Sequence, residues 1–168
     1  VYKRQALHTA DTFRCLVLES ASPGLRTEGE RQARRREDDQ LADEIVSGGL
    51  ECFLERWYDL PLFASLARRP GMIEAVKASR SNQAPAELAR ALRGMGVGRQ
   101  PSYWDRMPEL GMPTLTIAGE IDEKYVDLGG DMAGLCQRGL AAIVPDAGHN
   151  VHVERPDAFV RITGDFLA

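Results

Sequence analysis

The sequence has 168 residues, 43% of them hydrophobic and 27% charged, with a net charge of −4 and a pI near 5.4. That length supports a domain with a real core. The acidic balance argues against a nucleic-acid partner, and no apolar run approaches the ~18–20 residues that would span a bilayer. The three cysteines, Cys15, Cys52 and Cys136, are odd in number and lack metal-ligand spacing. They read as reduced thiols of a cytoplasmic protein, as small buried hydrophobes rather than reactive groups.

The opening residues do not read as a signal peptide. "VYKRQ" shows neither a helix cap nor strand alternation, and "ALHTADTFRCLVLES" reads as the last turns of a helix followed by a buried strand at Cys15–Leu18. The chain is therefore expected to begin in mid-fold, with the strand near Cys15 left as an apolar edge. "CLVLE" itself, residues 15–19, is a short continuous apolar run of the kind that forms a central parallel strand buried on both faces.

From Thr27 the pattern turns helical. Thr27 and Glu30 have capping-box spacing. The run to Gly48–Gly49 offers the i,i+4 pairs Glu30–Arg34, Arg34–Asp38 and Arg35–Asp39, each worth about 0.2–0.5 kcal/mol. Shorter helices are expected over about 50–60, up to Arg80, and up to Gly94–Gly96, punctuated by Pro61, Pro70, Pro85 and Pro101. Residues 27–100 thus form a helical block.

The α/β rhythm then resumes. "PTLTIAGE" (113–120) reads as a strand and 123–137 as a helix weakened by Gly129 and Gly130. "LAAIVPD" (140–146) reads as another strand and "RPDAFVRITGDFLA" as a closing amphipathic helix. This order predicts an α/β fold, the C-terminal half of a parallel sheet with an inserted helical cap. The core comprises 1–26 and 101–168, and the cap 27–100.

Open α/β sheets place their chemistry at the carboxyl ends of strands. Asp122 in "AGEIDEKY" follows one strand and His149 in "DAGHNVH" follows the next. Neighbouring strands joined by one helix can bring that carboxylate to the imidazole, fixing its tautomer and stabilising the imidazolium. Taken singly, a loop aspartate is usually a cap and a loop histidine usually solvated; the ordered pair at two strand ends favours acid–base chemistry. His152 reads as structural or rim, and His8 has no evident partner. No serine occupies a G-x-S-x-G frame: Ser22 and Ser65 come nearest, and neither joins a strand to a helix. The nucleophile that such a pair serves is not found in this sequence.

The order Asp then His after successive strands resembles the α/β-hydrolase superfamily. More narrowly, "LVLESASPGL", "ERQARRRED", "WYDLPLFASL", "SRSNQAPAELARALRGMGVGRQPSYWDRMPEL", "IAGEIDEKY" and "AGHNVHVERP" resemble, in that order, the 2-succinyl-6-hydroxy-2,4-cyclohexadiene-1-carboxylate synthase family of menaquinone biosynthesis. The resemblance runs from about residue 6 to the end. It implies a cofactor-independent enzyme that eliminates pyruvate from a polycarboxylate, through a serine aided by the histidine–aspartate pair. Carried over by position, His149 and Asp122 match the triad histidine and acid. Arg34 and Arg80 match cap arginines that hold substrate carboxylates, which guanidinium forks suit. Trp57 and Tyr58 match aromatic residues near the pocket. From the residues alone, Arg34 can equally belong to a solvated charged face, and Trp57 can equally be core packing. The resemblance further implies a cytoplasmic protein, a monomer when complete, without nucleic-acid or membrane contact, and inactive where the serine is lacking. Another α/β-hydrolase, an esterase or carbon–carbon bond hydrolase, is the alternative, and a non-catalytic module a third reading.

Overall fold

The structure, a computed structural model, describes residues 2–9 and 12–168. Val1, Ala10 and Asp11, which fall in the stretch read as a helix leading to a strand, lie outside the described residues. In chain order the elements begin with α1 (Tyr2–His8), β1 (Leu16–Glu19), α2 (Glu28–Gly48), α3 (Leu50–Tyr58), α4 (Ala64–Ala67), α5 (Met72–Arg80) and α6 (Pro85–Met95). They continue with β2 (Thr114–Gly119), α7 (Glu123–Leu135), β3 (Gly139–Val144), α8 (Val151–Glu154) and α9 (Pro156–Leu167). Short 3-10 turns cover Pro61–Phe63, Val97–Arg99 and Trp104–Glu109. No helix among the described residues is long and apolar enough to cross a membrane.

The chain divides into two compact units, Val1–Pro23 with Tyr103–Ala168, and Gly24–Ser102. In the first, three parallel strands pair in the order β1-β2-β3. Leu16 aligns with Thr114 and Leu18 with Thr116, while Thr114 aligns with Gly139 and Gly119 with Val144. β2 is the central strand of the described sheet and is buried at all six positions. β1 flanks β2 at the edge of the described sheet, the position expected for the strand near Cys15. Its burial alternates, with Leu16 and Leu18 buried and Val17 and Glu19 half-buried.

Side-chain alternation builds three layers. Leu16 and Leu18 pack with Met132 and Cys136 of α7 and with Trp104, Met107 and Leu110. Leu115, Ile117 and Val144 pack on the other side with Ala147 and Val151, against Phe159, Ile162 and Phe166 of α9. Full burial of a side chain such as Ile117, 1% exposed, is worth about 1.5–3 kcal/mol. The chain leaves this unit at Pro23 and re-enters at Tyr103, whose N–H donates to the Pro23 carbonyl at 2.8 Å.

The second unit is helical. Its long helix α2 starts where expected: Thr27 Oγ1 accepts from the Glu30 amide at 3.2 Å and Glu30 returns to the Thr27 amide at 2.8 Å. Of the three i,i+4 pairs anticipated on α2, Arg34–Asp38 forms, at 2.7 Å. Arg35 turns instead to Glu28 and the Gly98 carbonyl, and Arg99 takes Asp39. Partners from the turn after α6 outcompete those one helical turn away. Gly98 is required by this packing: a Cβ there would lie 2.5 Å from the Arg35 amide nitrogen and 2.9 Å from the Arg31 carbonyl.

Candidate active site

Three strand ends converge in the first unit. β2 ends at Gly119, and Asp122 is the N-cap of α7, its carbonyl accepting from the Tyr125 and Val126 amides. An N-cap aspartate commonly spends its carboxylate on the helix's own orphan amides. Asp122 makes no such side-chain bond. Its Oδ2 lies 2.7 Å from His149 Nδ1 instead. Asp122 is buried and His149 half-buried, side chains 7% and 21% exposed. The Tyr125 ring meets the imidazole edge-on, centroids 4.7 Å apart. With Nδ1 engaged by a carboxylate, proton exchange falls to Nε2, and the carboxylate stabilises the cation that results.

The loop carrying His149 is held by its backbone as well. The Ser20 hydroxyl, one residue beyond β1, donates to the His149 carbonyl at 2.8 Å. Ser20 sits in the left-handed region at φ 40°. It stands at the end of a strand and commits its proton to that carbonyl. Ser47, Ser79 and Ser81 donate to carbonyls of their own helices.

The Glu154 side chain, 1% exposed, accepts from the Gly148 amide at 3.0 Å and the Asn150 amide at 3.3 Å. The exposed His152 bonds Glu19 through Nδ1 at 2.8 Å and through its backbone amide at 2.9 Å. These two bonds tie the start of α8 to the end of β1. Glu154, Ser20 and Glu19 were not anticipated as part of the site. The one available signal was a glutamate four residues after Asn150, within reach of the amides that open a helix.

The remaining candidates lie in the helical unit. Arg34 is part-exposed on α2, its Nε bonded to Asp38 Oδ1 at 2.7 Å. Asp38 is 1% exposed, so the ion pair ties the guanidinium to a buried base through its Nε. Arg80 is the exposed last residue of α5. Trp57 stacks on Phe53, centroids 5.6 Å apart, and tilts against Phe63 at 6.1 Å. Tyr58 is buried and meets Phe63 at 4.9 Å. Trp57 and Tyr58 therefore share one aromatic cluster, whereas Arg34 and Arg80 stand on separate helices. No group of three metal-ligating side chains occurs among the described residues.

A parallel sheet layered between helices, with aspartate and histidine meeting after successive strands, defines a protein of the α/β-hydrolase class. No family model matches the chain. It is 43% identical over 153 residues to a Bacillus subtilis (strain 168) protein named, provisionally, 2-succinyl-6-hydroxy-2,4-cyclohexadiene-1-carboxylate synthase; this covers 90% of the chain and 56% of the relative. It is 34% identical over 154 residues to the synthase of that name from Serratia proteamaculans (strain 568), covering 90% and 57%. The structure of MenH from S. aureus superposes with a TM-score of 0.92 at 37% identity, over 98% of this chain and 64% of that one. A thermophilic esterase from Thermogutta terrifontis, with a TM-score of 0.75 at 22% identity over 96% and 60%, shares the fold alone. Over nine-tenths of its own length the chain is similar to 2-succinyl-6-hydroxy-2,4-cyclohexadiene-1-carboxylate synthases, and it spans a little over half the length of these curated relatives.

Proposed function

We propose that this chain carries the acid–histidine pair and the arginine-bearing helical unit of a cytoplasmic menaquinone-pathway lyase. Its substrate is 2-succinyl-5-enolpyruvyl-6-hydroxy-3-cyclohexene-1-carboxylate. In the reaction a ring C–H proton passes to a serine–histidine relay, the C–O bond to the enolpyruvyl group breaks, and the departing enolate is protonated to pyruvate. His149 Nε2 takes and returns the proton while Asp122 stabilises the imidazolium. Arg34, aimed by Asp38, and Arg80 bind carboxylates of the substrate, and Trp57 and Tyr58 supply apolar wall. The single observation that carries this reading is the 2.7 Å contact between His149 and Asp122 at successive strand ends, in a chain 43% identical to a protein named for this activity.

The sequence contains no serine elbow, so the 168 residues by themselves release no pyruvate from this substrate. The deciding experiment replaces the matching segment of the Bacillus subtilis relative with this chain and measures pyruvate release. Turnover by the hybrid is expected. His149→Ala lowers kcat by up to about 10⁶-fold, and Asp122→Asn, which exchanges the acceptor for an amide, by roughly 10⁴-fold. A hybrid that is active on simple esters but not on this substrate refutes the synthase reading. Activity that survives His149→Ala refutes the assignment of the base.

A further inference from the structure

His149 is the base of the mechanism above, and the following rests on that reading. Its ring bonds Asp122 and meets the Tyr125 ring edge-on, and contacts made by a ring do not by themselves fix the backbone of the loop that carries it. The structure solves this through the main chain. The two amides that flank His149, those of Gly148 and Asn150, both donate to the one carboxylate of Glu154, at 3.0 and 3.3 Å. The carbonyl of His149 accepts from Ser20. All three backbone contacts adjoin the base on both sides.

Glu154 is an unusual residue to find in this place. Glutamate is almost never fully buried unless paired, yet Glu154 is 1% exposed, and among the described residues it forms no ion pair. Its two backbone N–H donors are charge-assisted bonds, roughly twice as strong as neutral ones. A helix this short gains little from its own cap, and any polar side chain could satisfy one amide. Only a forked acceptor of this length reaches both amides at once, and bridging them fixes the dihedrals on either side of His149.

We propose that Glu154 is a positioning residue. It bridges the amides on either side of His149 and so holds the imidazole in the orientation and tautomer that face Asp122, without touching the substrate. Ser20 supplies the third anchor, a part that separates it from the nucleophile its location suggests.

Long-range ¹⁵N–¹H correlation of the imidazole nitrogens reads the tautomer in the folded chain without any turnover. In the wild type His149 shows a protonated Nδ1 as one dominant tautomer. In Glu154→Gln the Nδ1–H signal is expected to fall at least tenfold and a mixture of tautomers to replace it. The His152 signals stay unchanged, because that ring is held by Glu19. Ser20→Ala weakens the Nδ1–H signal in the same direction. A folded Glu154→Gln chain with a lowered melting temperature but the wild-type His149 pattern overturns the proposal, because a merely structural glutamate would behave so. If Glu154→Gln does not fold, Glu154→Asp is read in the same way. It keeps the charge but is one methylene too short to span both amides, and persistence of the wild-type pattern overturns the proposal. A wild-type chain in which His149 never carries its proton on Nδ1 fails differently: it removes the acid–histidine pair itself and the reading on which this inference rests.

Discussion

A Cβ on Gly119 would lie 2.3 Å from the carbonyl oxygens of both Ala147 and Gly148. The last residue of β2 therefore has to be glycine because the loop bearing His149 passes directly over it. Backbone carbonyls cannot rotate aside as a flexible side chain can. Gly119→Ala should cost about 1–3 kcal/mol as overpacking, read as a lower urea midpoint at unchanged m-value, and should displace His149 from Asp122. An unchanged midpoint would show that the loop yields freely and that its tight seat is unimportant. The pair itself was legible in the sequence, because strand ends and chain order predict where an aspartate and a histidine can meet. Its support was not. Glu154 stands in "VHVERP", where a charged residue just before a helix reads as solvated, and only the fold shows it turned inward. Ser20 likewise carries no sequence signal, since no sequence rule points a serine at a particular carbonyl 129 positions away.

At the scale of elements, the start of α2 shows local chemistry deciding structure. The Thr27 amide and hydroxyl hold the Glu30 carboxyl below the usual glutamate range. A carboxyl lowered in the folded state adds stability that is fully present above the ordinary value near 4.5 and is lost as the pH falls through the lowered value. Thr27→Ala should therefore lower the melting temperature by a few degrees at neutral pH, and the difference from wild type should shrink as the pH falls below 4.5. A gap that stays constant with pH would assign the effect to helix propensity alone. This boundary was readable to the residue because a capping box is a four-residue signal. The elements that escaped were α4, α8 and the 3-10 turns: each is too short for a period to show, and each is set by what it packs on. The strands were found within a residue or two, since "TLTIAG" and "GLAAIV" are apolar enough to announce themselves.

Across the whole molecule, the cysteines sample distinct environments. Cys52 is exposed on α3, Cys15 is half-buried before β1, and Cys136 is buried where α7 meets the sheet, packed with Met132 and Leu18. Burial pushes the Cys136 thiol up from its ordinary value near 9.0, partly offset by its bond with Thr114. Because the raised value belongs to the folded state, its contribution to stability is complete below the unfolded thiol's range. That contribution is lost as the pH climbs through the raised value. A thiolate-selective reagent at pH 8 should therefore label Cys52 in the native protein quickly and reach Cys136 only when the layered unit opens. Ile117 lies under the same sheet on the α9 side, without contacting Cys136, so truncating it alters access only through stability. Ile117→Ala should cost about 2–5 kcal/mol. Where opening precedes labelling, that accelerates modification of Cys136 by roughly 30- to 5,000-fold and leaves the Cys52 rate unchanged. Equal acceleration at both thiols would mean that the truncation acts on the whole chain. No acceleration at Cys136 would mean that the thiol is reached by local fraying of α7, and that the core around Ile117 does not govern access to it.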